Sequence, residues 1–377
     1  MVMKTYQYRI YPNKKQKELL TQTFGCVRYV YNYYLAKRKE IYQTKGETFN
    51  YYKCSKDLTQ LKKEEDKRWL LEVDSIALQV ALKNLDIAYD HFFKHINGFP
   101  SFKSKKDNYK SYLTKNNNNN IRYANKHIKL PKIGFVKTKD NLIPQGKILS
   151  AVVMQKPSGK YFVSLTCEKV DISPFLKTEK KIGVDLGLRF FATFSDGERI
   201  FHPKILEKSL LKLAKLQRNF ARKQRGSHNR EKARIKLAKF YEKITNQRKD
   251  FLHKLSKRLI RENDIICVEN LSIREMMKTK PIALSIADAS WGTFINFLEY
   301  KATFYGKTLV KIDKFFPSSQ ICNNCGFKSE DVKKLFLKEW ICPKCGIFQD
   351  RDLNASINIL NEGLKQLKTV GTTELAW

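Results

Sequence analysis

The sequence has 377 residues, 42% of them hydrophobic, so it is long enough for two or three domains with apolar cores and is not a disordered chain. Its 73 Lys and Arg exceed its 37 Asp and Glu by 36 charges, which is more than solubility requires and destabilises a compact chain by self-repulsion. Because 18 Tyr and 24 Phe are interspersed with these cations, a nucleic acid is the expected partner. The alternative is a generally basic surface.

No apolar run approaches the roughly 20 residues of a membrane span, and the first residues lack the apolar core of a signal peptide. We therefore expect a soluble, cytoplasmic protein that does not bind a membrane. Four of the eight cysteines are solitary, as is typical where thiols stay reduced. They are Cys26, Cys54, Cys167 and Cys267.

Residues 5–11 are predicted to form a strand that ends before Pro12, and Asn13 to cap a helix running towards Thr44. A second helix is predicted to be capped by Asp74 or Ser75 and to carry an apolar stripe. The stripe consists of Leu78, Leu82, Leu85, Tyr89 and Phe92. Two polar residues of this helix lie outside the stripe, Gln79 and Lys83. They are either solvated or face a nucleic-acid duplex, where Gln can read adenine and Lys can hold phosphate.

From residue 99 the sequence reads Phe-Pro-Ser-Phe-Lys-Ser-Lys-Lys and then becomes polar. Five consecutive Asn at 116–120 predict a loop. Short strands are predicted at 128–130, 133–136, 148–155 and 161–167. The last two strands are joined as a hairpin through residues 156–159. We infer a small β-barrel that the first strand completes and into which the helical segment is inserted.

Residues 204–262 contain 20 Lys or Arg against 5 Asp or Glu and have helical periodicity, interrupted at Gly226-Ser227. This pattern predicts a helical hairpin. A charged helix face is often merely solvated, but charge of one sign destabilises an isolated helix pair by repulsion. Contact with nucleic acid is therefore favoured.

Three carboxylates, all from residue 185 onward, lie in or next to predicted elements. Asp185 lies in an apolar strand between Gly183 and Gly187, and Glu269 near the end of another apolar strand. Asp352 lies in the first turn of a predicted helix, where a carboxylate also gains from the helix dipole. Taken singly, each has a structural explanation as a cap or a salt-bridged acid.

The order of elements gives these acids a common interpretation. A strand with Asp, a hairpin, a helix, a strand with Glu, a helix, a strand and a helix with Asp is the arrangement of an RNase H-like α/β domain. Such a domain can share two Mg²⁺ ions roughly 4 Å apart among its three carboxylates, Asp185, Glu269 and Asp352. This site would hydrolyse a phosphodiester.

Two Cys-x-x-Cys units are separated by sixteen residues and are each followed by Gly. Their cysteines are Cys322, Cys325, Cys342 and Cys345. The spacing predicts one tetrahedral zinc ion, which is structural because four thiolates leave no open position. A pair of redox dithiols is the alternative.

Several motifs together resemble TnpB, a family of insertion-sequence proteins related to type V CRISPR effectors. They are Gly-Val-Asp-Leu-Gly at 183–187, Val-Glu-Asn-Leu at 268–271, Ser-Trp-Gly at 290–292, Phe-Pro-Ser-Ser-Gln at 316–320, the four cysteines, and Asp-Arg-Asp-Leu-Asn-Ala at 350–355. The resemblance implies an RNA-guided DNA endonuclease with Asp185, Glu269 and Asp352 as catalytic metal ligands; Asp350 is only a neighbour of the last. It also implies a guide RNA from the transposon end and a double-stranded DNA target beside a short flanking motif. Gln79 and Lys83 match the motif-reading region only loosely.

The fold class expected from this resemblance is multidomain α/β and α+β. A β-barrel wedge domain would comprise residues 1–12 and 99–178, with a helical recognition domain at 13–98. A RuvC-like nuclease domain would span 179–377, including the basic hairpin 203–262 and a zinc-binding insertion at 317–349.

Three other functions use the same features. A transposase could use the same acids, a nuclease-inactive repressor would be expected to have lost one of them, and a miniature CRISPR effector would differ by a neighbouring repeat array. All three acids are present, which favours the active nuclease.

Overall fold

The computed structural model of the protein describes residues 2–333 and 337–374. The chain forms two compact units, Met1–Asp171 and Ile172–Trp377. The predicted change from barrel to nuclease domain at 178/179 lies close to this boundary, and the finer domain limits stay predictions. Within the described residues, no helix has both the length and the apolar character needed to cross a lipid bilayer.

The first unit combines an antiparallel sheet with helices. Its strands are β1 (Lys4–Tyr11), β2 (Lys110–Lys115), β3 (Arg122–Ala124), β4 (His127–Leu130), β5 (Gly134–Thr138), β6 (Lys147–Gln155) and β7 (Tyr161–Glu168). Its helices are α1 (Lys14–Lys45), α2 (Tyr51–Leu61) and α3 (Ser75–Phe93), with a 3-10 helix at Glu65–Leu71.

The strand order in this sheet is β2-β6-β7-β1-β5-β4-β3. The first strand pairs with both β7 and β5, so it lies at the centre of the sheet. No ladder joins β2 to β3 in the part of the chain that the structure describes, so backbone pairing does not close the predicted barrel. The sequence does not predict β2, because its buried face carries only Tyr112 and Thr114 and offers little apolar alternation.

The predicted helix starts in this unit are confirmed. The Asn13 side chain accepts a hydrogen bond from the Gln16 backbone N–H at 2.9 Å, and the Gln16 side chain accepts one from the Asn13 N–H at 3.1 Å. This capping box begins α1. The Asp74 side chain caps α3 by a single hydrogen bond, accepting from the Ile76 N–H at 3.1 Å.

The second unit contains a five-stranded sheet of β8 (Lys181–Asp185), β9 (Phe190–Phe194), β10 (Arg199–Phe201), β11 (Ile265–Glu269) and β12 (Thr308–Ile312). Its helices are α4 (Leu210–Ala221), α5 (His228–Glu262), α6 (Ile273–Met276), α7 (Lys280–Ala289), α8 (Trp291–Tyr305) and α9 (Arg351–Glu374), with 3-10 helices at Glu207–Ser209 and Asp331–Lys333. A separate hairpin pairs β13 (Glu339–Ile341) with β14 (Phe348–Asp350).

The five strands follow the order β10-β9-β8-β11-β12, and β8, β11 and β12 are parallel. Helices cover both faces of this sheet, as the apolar parallel strands require. On one face, α5 and α8 pack in a core with Val184, Phe194 and Val268. On the other, α9 packs on β11 and β12 through Ile359 and its neighbours.

Two glycines allow α9 to lie directly on the strands. A Cβ at Gly183 of β8 would stand 2.0 Å from the Ser356 carbonyl oxygen of α9. A Cβ at Gly363 of α9 would stand 2.4 Å from the Cys267 sulfur of β11. Since neither contact is sterically possible, only glycine permits this close packing.

The predicted basic hairpin is α4 and α5. It turns at Gly226, whose φ is +84°, and the Ser227 side chain then caps α5 by accepting from the Arg230 N–H at 3.1 Å. Only Leu213 of α4 is buried, so the helix leaves most of its basic residues at the surface.

Candidate carboxylate site and cysteine cluster

The three predicted acids come from two strands and a helix that meet at one edge of the sheet. Asp185 ends β8 and Glu269 ends β11. These neighbouring strands are parallel, with Val184 opposite Val268, so the two acids follow side by side at their carboxyl ends. Asp352 is the second residue of α9, which packs on both strands.

The pKa values reflect this concentration of negative charge. Burial raises the pKa of Asp185 well above its usual range, and the charges of Glu269 and Asp352 raise it further. The cations of Arg351 and Lys338 act in the opposite direction. Burial also raises the pKa of Glu269. A cation bound here would offset the repulsion, and carboxylate oxygens are the ligands that Mg²⁺ prefers, so the residues fit this ion.

The three carboxylates are less closely grouped than the cysteines. Within the described residues, only the four cysteines form a set of potential metal ligands all lying within 4.8 Å of one another. The charges of both Glu269 and Asp352 raise the pKa of Asp185, so all three acids belong to one electrostatic group.

Residues beside the acids restrain them, and sequence reasoning assigned these residues no role. The Ser318 hydroxyl donates a hydrogen bond to Glu269, which lowers that carboxyl's pKa against the effect of burial. Asp350 accepts from the Leu353 N–H at 2.9 Å and so caps α9. It also pairs with Arg199 of β10 at 2.9 Å. The one sequence signal for Ser318 and Asp350 was their position in the motifs at 316–320 and 350–355.

The cysteine cluster has the dimensions of a tetrahedral metal site. The sulfurs of Cys322 and Cys345 are 3.7 Å apart, and those of Cys325 and Cys342 are 3.6 Å apart. Bonds of about 2.3 Å to a central zinc ion would separate tetrahedral sulfurs by about 3.8 Å. Hydrogen bonds, the largest effect coming from the Ile347 backbone N–H, lower the pKa of Cys345 to about 6, which favours the thiolate. The cluster could therefore bind a metal.

Two buried asparagines of α9 connect this cluster to the carboxylate site. Asn354 accepts from the Asn323 N–H at 2.9 Å and donates to the Ile321 carbonyl at 2.7 Å. Asn358 donates to the Ile321 carbonyl at 2.6 Å and to the Ser318 carbonyl at 2.8 Å. The first cysteine knuckle is thus hydrogen-bonded to the helix that carries Asp352.

The remaining two residues singled out in the sequence lie in the first unit. Gln79 and Lys83 are both exposed on α3, outside its buried stripe. This position is compatible with a solvated surface and with a nucleic-acid contact.

Comparison with known proteins identifies the family. Residues 164–280 match a family described as "Probable transposase", and residues 291–359 match a "Cas12f1-like, TNB domain". A Streptomyces pristinaespiralis protein named "Putative RNA-guided DNA endonuclease" is 38% identical over 371 residues, covering 96% of this chain and 90% of the relative. An Escherichia coli K12 protein named "Putative RNA-guided DNA endonuclease InsQ" is 27% identical, covering 96% and 92%. The chain belongs to the TnpB family.

Solved structures share the fold. A Cas12f1 structure, determined as a complex with sgRNA and target DNA, has a TM-score of 0.60 at 13% identity and covers 96% of this chain and 99% of its own. The mini-RNA-guided endonuclease CRISPR-Cas phi3 has a TM-score of 0.51 at 10% identity, covering 96% and 92%. These likenesses support the mixed α/β architecture.

One family description differs from the observed structure. Residues 1–47 match a "Helix-turn-helix domain". In this TnpB protein the described part of this range contains β1 and the single uninterrupted helix α1, Lys14–Lys45.

Proposed function

We propose that the protein is an RNA-guided DNA endonuclease whose second unit is a RuvC-like, RNase H-like nuclease domain. The observation that carries this proposal is the meeting of Asp185, Glu269 and Asp352 at one edge of a mixed sheet, from β8, β11 and α9. The names of the 38% and 27% identical relatives support the same activity.

Asp185, Glu269 and Asp352 would hold two Mg²⁺ ions, which supply an activated water and stabilise the leaving oxygen of the phosphodiester. The chain's own groups prepare this site. The Ser318 hydroxyl fixes the Glu269 carboxylate, and the nearby cations Arg351 and Lys338 favour the ionised form of Asp185. The Asp350 cap fixes the first turn of α9 and thereby Asp352.

A structural zinc ion held by Cys322, Cys325, Cys342 and Cys345 belongs to the same proposal. Its role is to keep the two knuckles folded. The first knuckle is hydrogen-bonded to α9 by Asn354 and Asn358. Zinc would therefore stabilise the position of the third carboxylate.

The partners we propose are a guide RNA derived from the transposon end and a double-stranded DNA target. The formal charge of +36 and the exposed basic surface of α4 and α5 support binding of both polyanions. In this proposal residues 1–12 and 99–178 are a wedge domain and residues 13–98 a recognition domain.

The deciding experiment compares wild type with Asp185→Ala. The gene is expressed with its native flanking DNA, the copurified RNA is sequenced, and a matched double-stranded target is supplied with Mg²⁺. We expect both proteins to bind the target, because base pairing and distributed basic contacts hold it. Only wild type should cleave it, with a rate at least about a thousand-fold above the variant.

Two results would contradict the proposal. Undiminished cleavage by Asp185→Ala would show that the acids are not catalytic. Guided binding by wild type without any cleavage would instead identify a repressor.

A further inference from the structure

Two aromatic rings and two guanidinium groups cluster at the β9–β10 end of the nuclease sheet. We name this cluster the platform; it consists of Arg189, Phe190, Arg199 and Phe201. The rings of Phe190 and Phe201 contact edge to face, with centroids 5.3 Å apart and planes at 62°. The guanidinium carbons of Arg189 and Arg199 lie 5.4 Å and 5.2 Å from the Phe190 centroid.

Strand register puts the platform on the same face of the sheet as the carboxylates. Asp185 pairs with Thr193, and Thr193 pairs with Arg199, so these three residues form one cross-strand row. Side chains paired across neighbouring strands project from the same face. The ion pair between Arg199 and Asp350, two residues before Asp352, independently confirms this position.

A β-bulge sets the orientation of the two rings. The register between β9 and β10 shifts after Ile200, so Phe201 pairs with Phe190 instead of Phe191. Phe191 is consequently buried in the opposite core, against α5 and α8. Phe190 and Phe201 remain together on the carboxylate face, and such bulges commonly re-aim side chains beside active sites.

The platform is open to solvent. Phe201 is 77% exposed, and Arg189 is exposed and has no ion pair with any residue that the structure describes. A single exposed Phe is common on protein surfaces. Here, however, the exposed ring lies on the face of the sheet that carries Asp185, and a cation without an ion pair accompanies it. Nucleobases stack on exposed aromatic rings, and arginine holds the adjoining phosphates.

We propose that the platform binds one nucleotide of the DNA strand being cleaved, adjacent to the scissile phosphate. The base stacks on Phe201, and Arg189 contacts the neighbouring phosphate. Arg199 acts as a positioning residue, because its ion pair with Asp350 connects the platform to the helix of Asp352. This inference rests on the proposed nuclease function and adds to it the residues that align the strand.

The test is a scan of modified targets in complexes of the protein with its guide RNA. Single abasic sites are placed in turn along each DNA strand, and single-turnover cleavage is measured with wild type and Phe201→Ala. For wild type we expect cleavage to fall about 5- to 150-fold at one or two adjacent positions near the cut, the effect of losing one base stack. Phe201→Ala should cleave the intact target more slowly by a similar factor. An abasic site at the same one or two positions should cause this variant no further loss.

Matched variants separate stacking from folding. Phe201→Trp should still lose cleavage when the base at these positions is removed. Leu176→Ala, which truncates an 88% exposed side chain, should leave the cleavage at every position unchanged. In a second scan, neutral methylphosphonate linkages replace single phosphates. With wild type, cleavage should fall when the neutral linkage replaces the phosphate beside the stacked base. With Arg189→Ala, the same replacement should cause no further loss.

The outcomes distinguish this inference from the function on which it rests. If wild type does not cleave, the nuclease proposal itself fails. The inference is overturned if wild type cleaves but loses no activity at any abasic position near the cut. It is also overturned if Phe201→Ala loses as much activity at those positions as wild type does, since the platform then does not stack a base.

Discussion

The cysteine cluster and the carboxylate site are two candidate metal centres of one unit, built in opposite ways. The four cysteines lie within 24 residues of sequence, and their sulfurs are all within 4.8 Å of one another. The three acids lie 84 and 83 residues apart along the chain and do not form such a compact set. A local motif thus specifies one site, and the long-range topology of the sheet specifies the other.

This difference decides what each site depends on. The cysteine cluster needs two knuckles and the short β13–β14 hairpin. The acids need the parallel register of β8 with β11 and the close packing of α9 at Gly183 and Gly363. The two sites are nevertheless coupled, because Asn354 and Asn358 bond the first knuckle to α9. Variants that affect one site, the other or the connection should therefore have distinct effects on zinc content and on cleavage.

The largest effect is expected from Asp352→Asn. Removing the negative charge of a proposed metal ligand should lower guided cleavage by about three orders of magnitude or more, with zinc content unchanged. Zinc is measured by elemental analysis and cleavage by single-turnover kinetics. Cleavage within ten-fold of wild type would remove Asp352 from the catalytic set.

The next effect concerns the cysteines. Cys342→Ser should lose most of the bound zinc and lower cleavage about a hundred-fold, because unfolding of the knuckles also loosens the start of α9. Lys344→Ser, an exposed change within the same knuckle, serves as the control and should retain its zinc. Full cleavage by a zinc-free Cys342→Ser protein would show that the two sites are independent.

The sequence predicted the local features of this molecule well. The cap at Asn13, the cap at Asp74 or Ser75, the hairpin turn at Gly226 and the cysteine cluster all depend on residues close in sequence. All are confirmed, with Asp74 as the cap of α3. The element order also predicted that β8, β11 and α9 would bring three acids together.

Features that depend on distant contacts were not predictable in the same way. The central position of β1 and the pairing of β2 depend on strand order, which periodicity does not reveal. Ser318 lies within the motif at 316–320, but no sequence pattern shows that its hydroxyl reaches Glu269, 49 residues away. The catalytic and zinc-binding roles stay predictions.

Ser318→Ala tests that contact on the carboxylate side alone. Loss of a hydrogen bond to a metal-binding carboxylate typically costs about 10- to 100-fold in activity or metal affinity. We expect a loss of this size, with more Mg²⁺ needed for half-maximal cleavage and with zinc unaffected. Ser318→Thr keeps the hydroxyl and should recover much of the activity. Equal loss in both variants would mean that packing, not the hydrogen bond, is responsible.

The smallest effect, and the one that tests the coupling itself, is expected from Asn354→Ala. The change leaves the partly buried Asn323 N–H without its partner, whereas the Ile321 carbonyl still accepts from Asn358. An unpaired group costs about 1–3 kcal/mol when it is fully buried and less when water reaches it, so the change should weaken the attachment of the knuckle to α9 modestly, without removing any thiolate. Zinc should remain bound while cleavage falls by roughly ten-fold, and the loss should grow with temperature as the attachment opens. Asn361→Ala, an exposed Asn on the same helix, is the matched control and should behave like wild type. If Asn354→Ala keeps zinc and cleaves at the wild-type rate at all temperatures, the knuckle does not position Asp352. Any loss of cleavage in Cys342→Ser would then require another route.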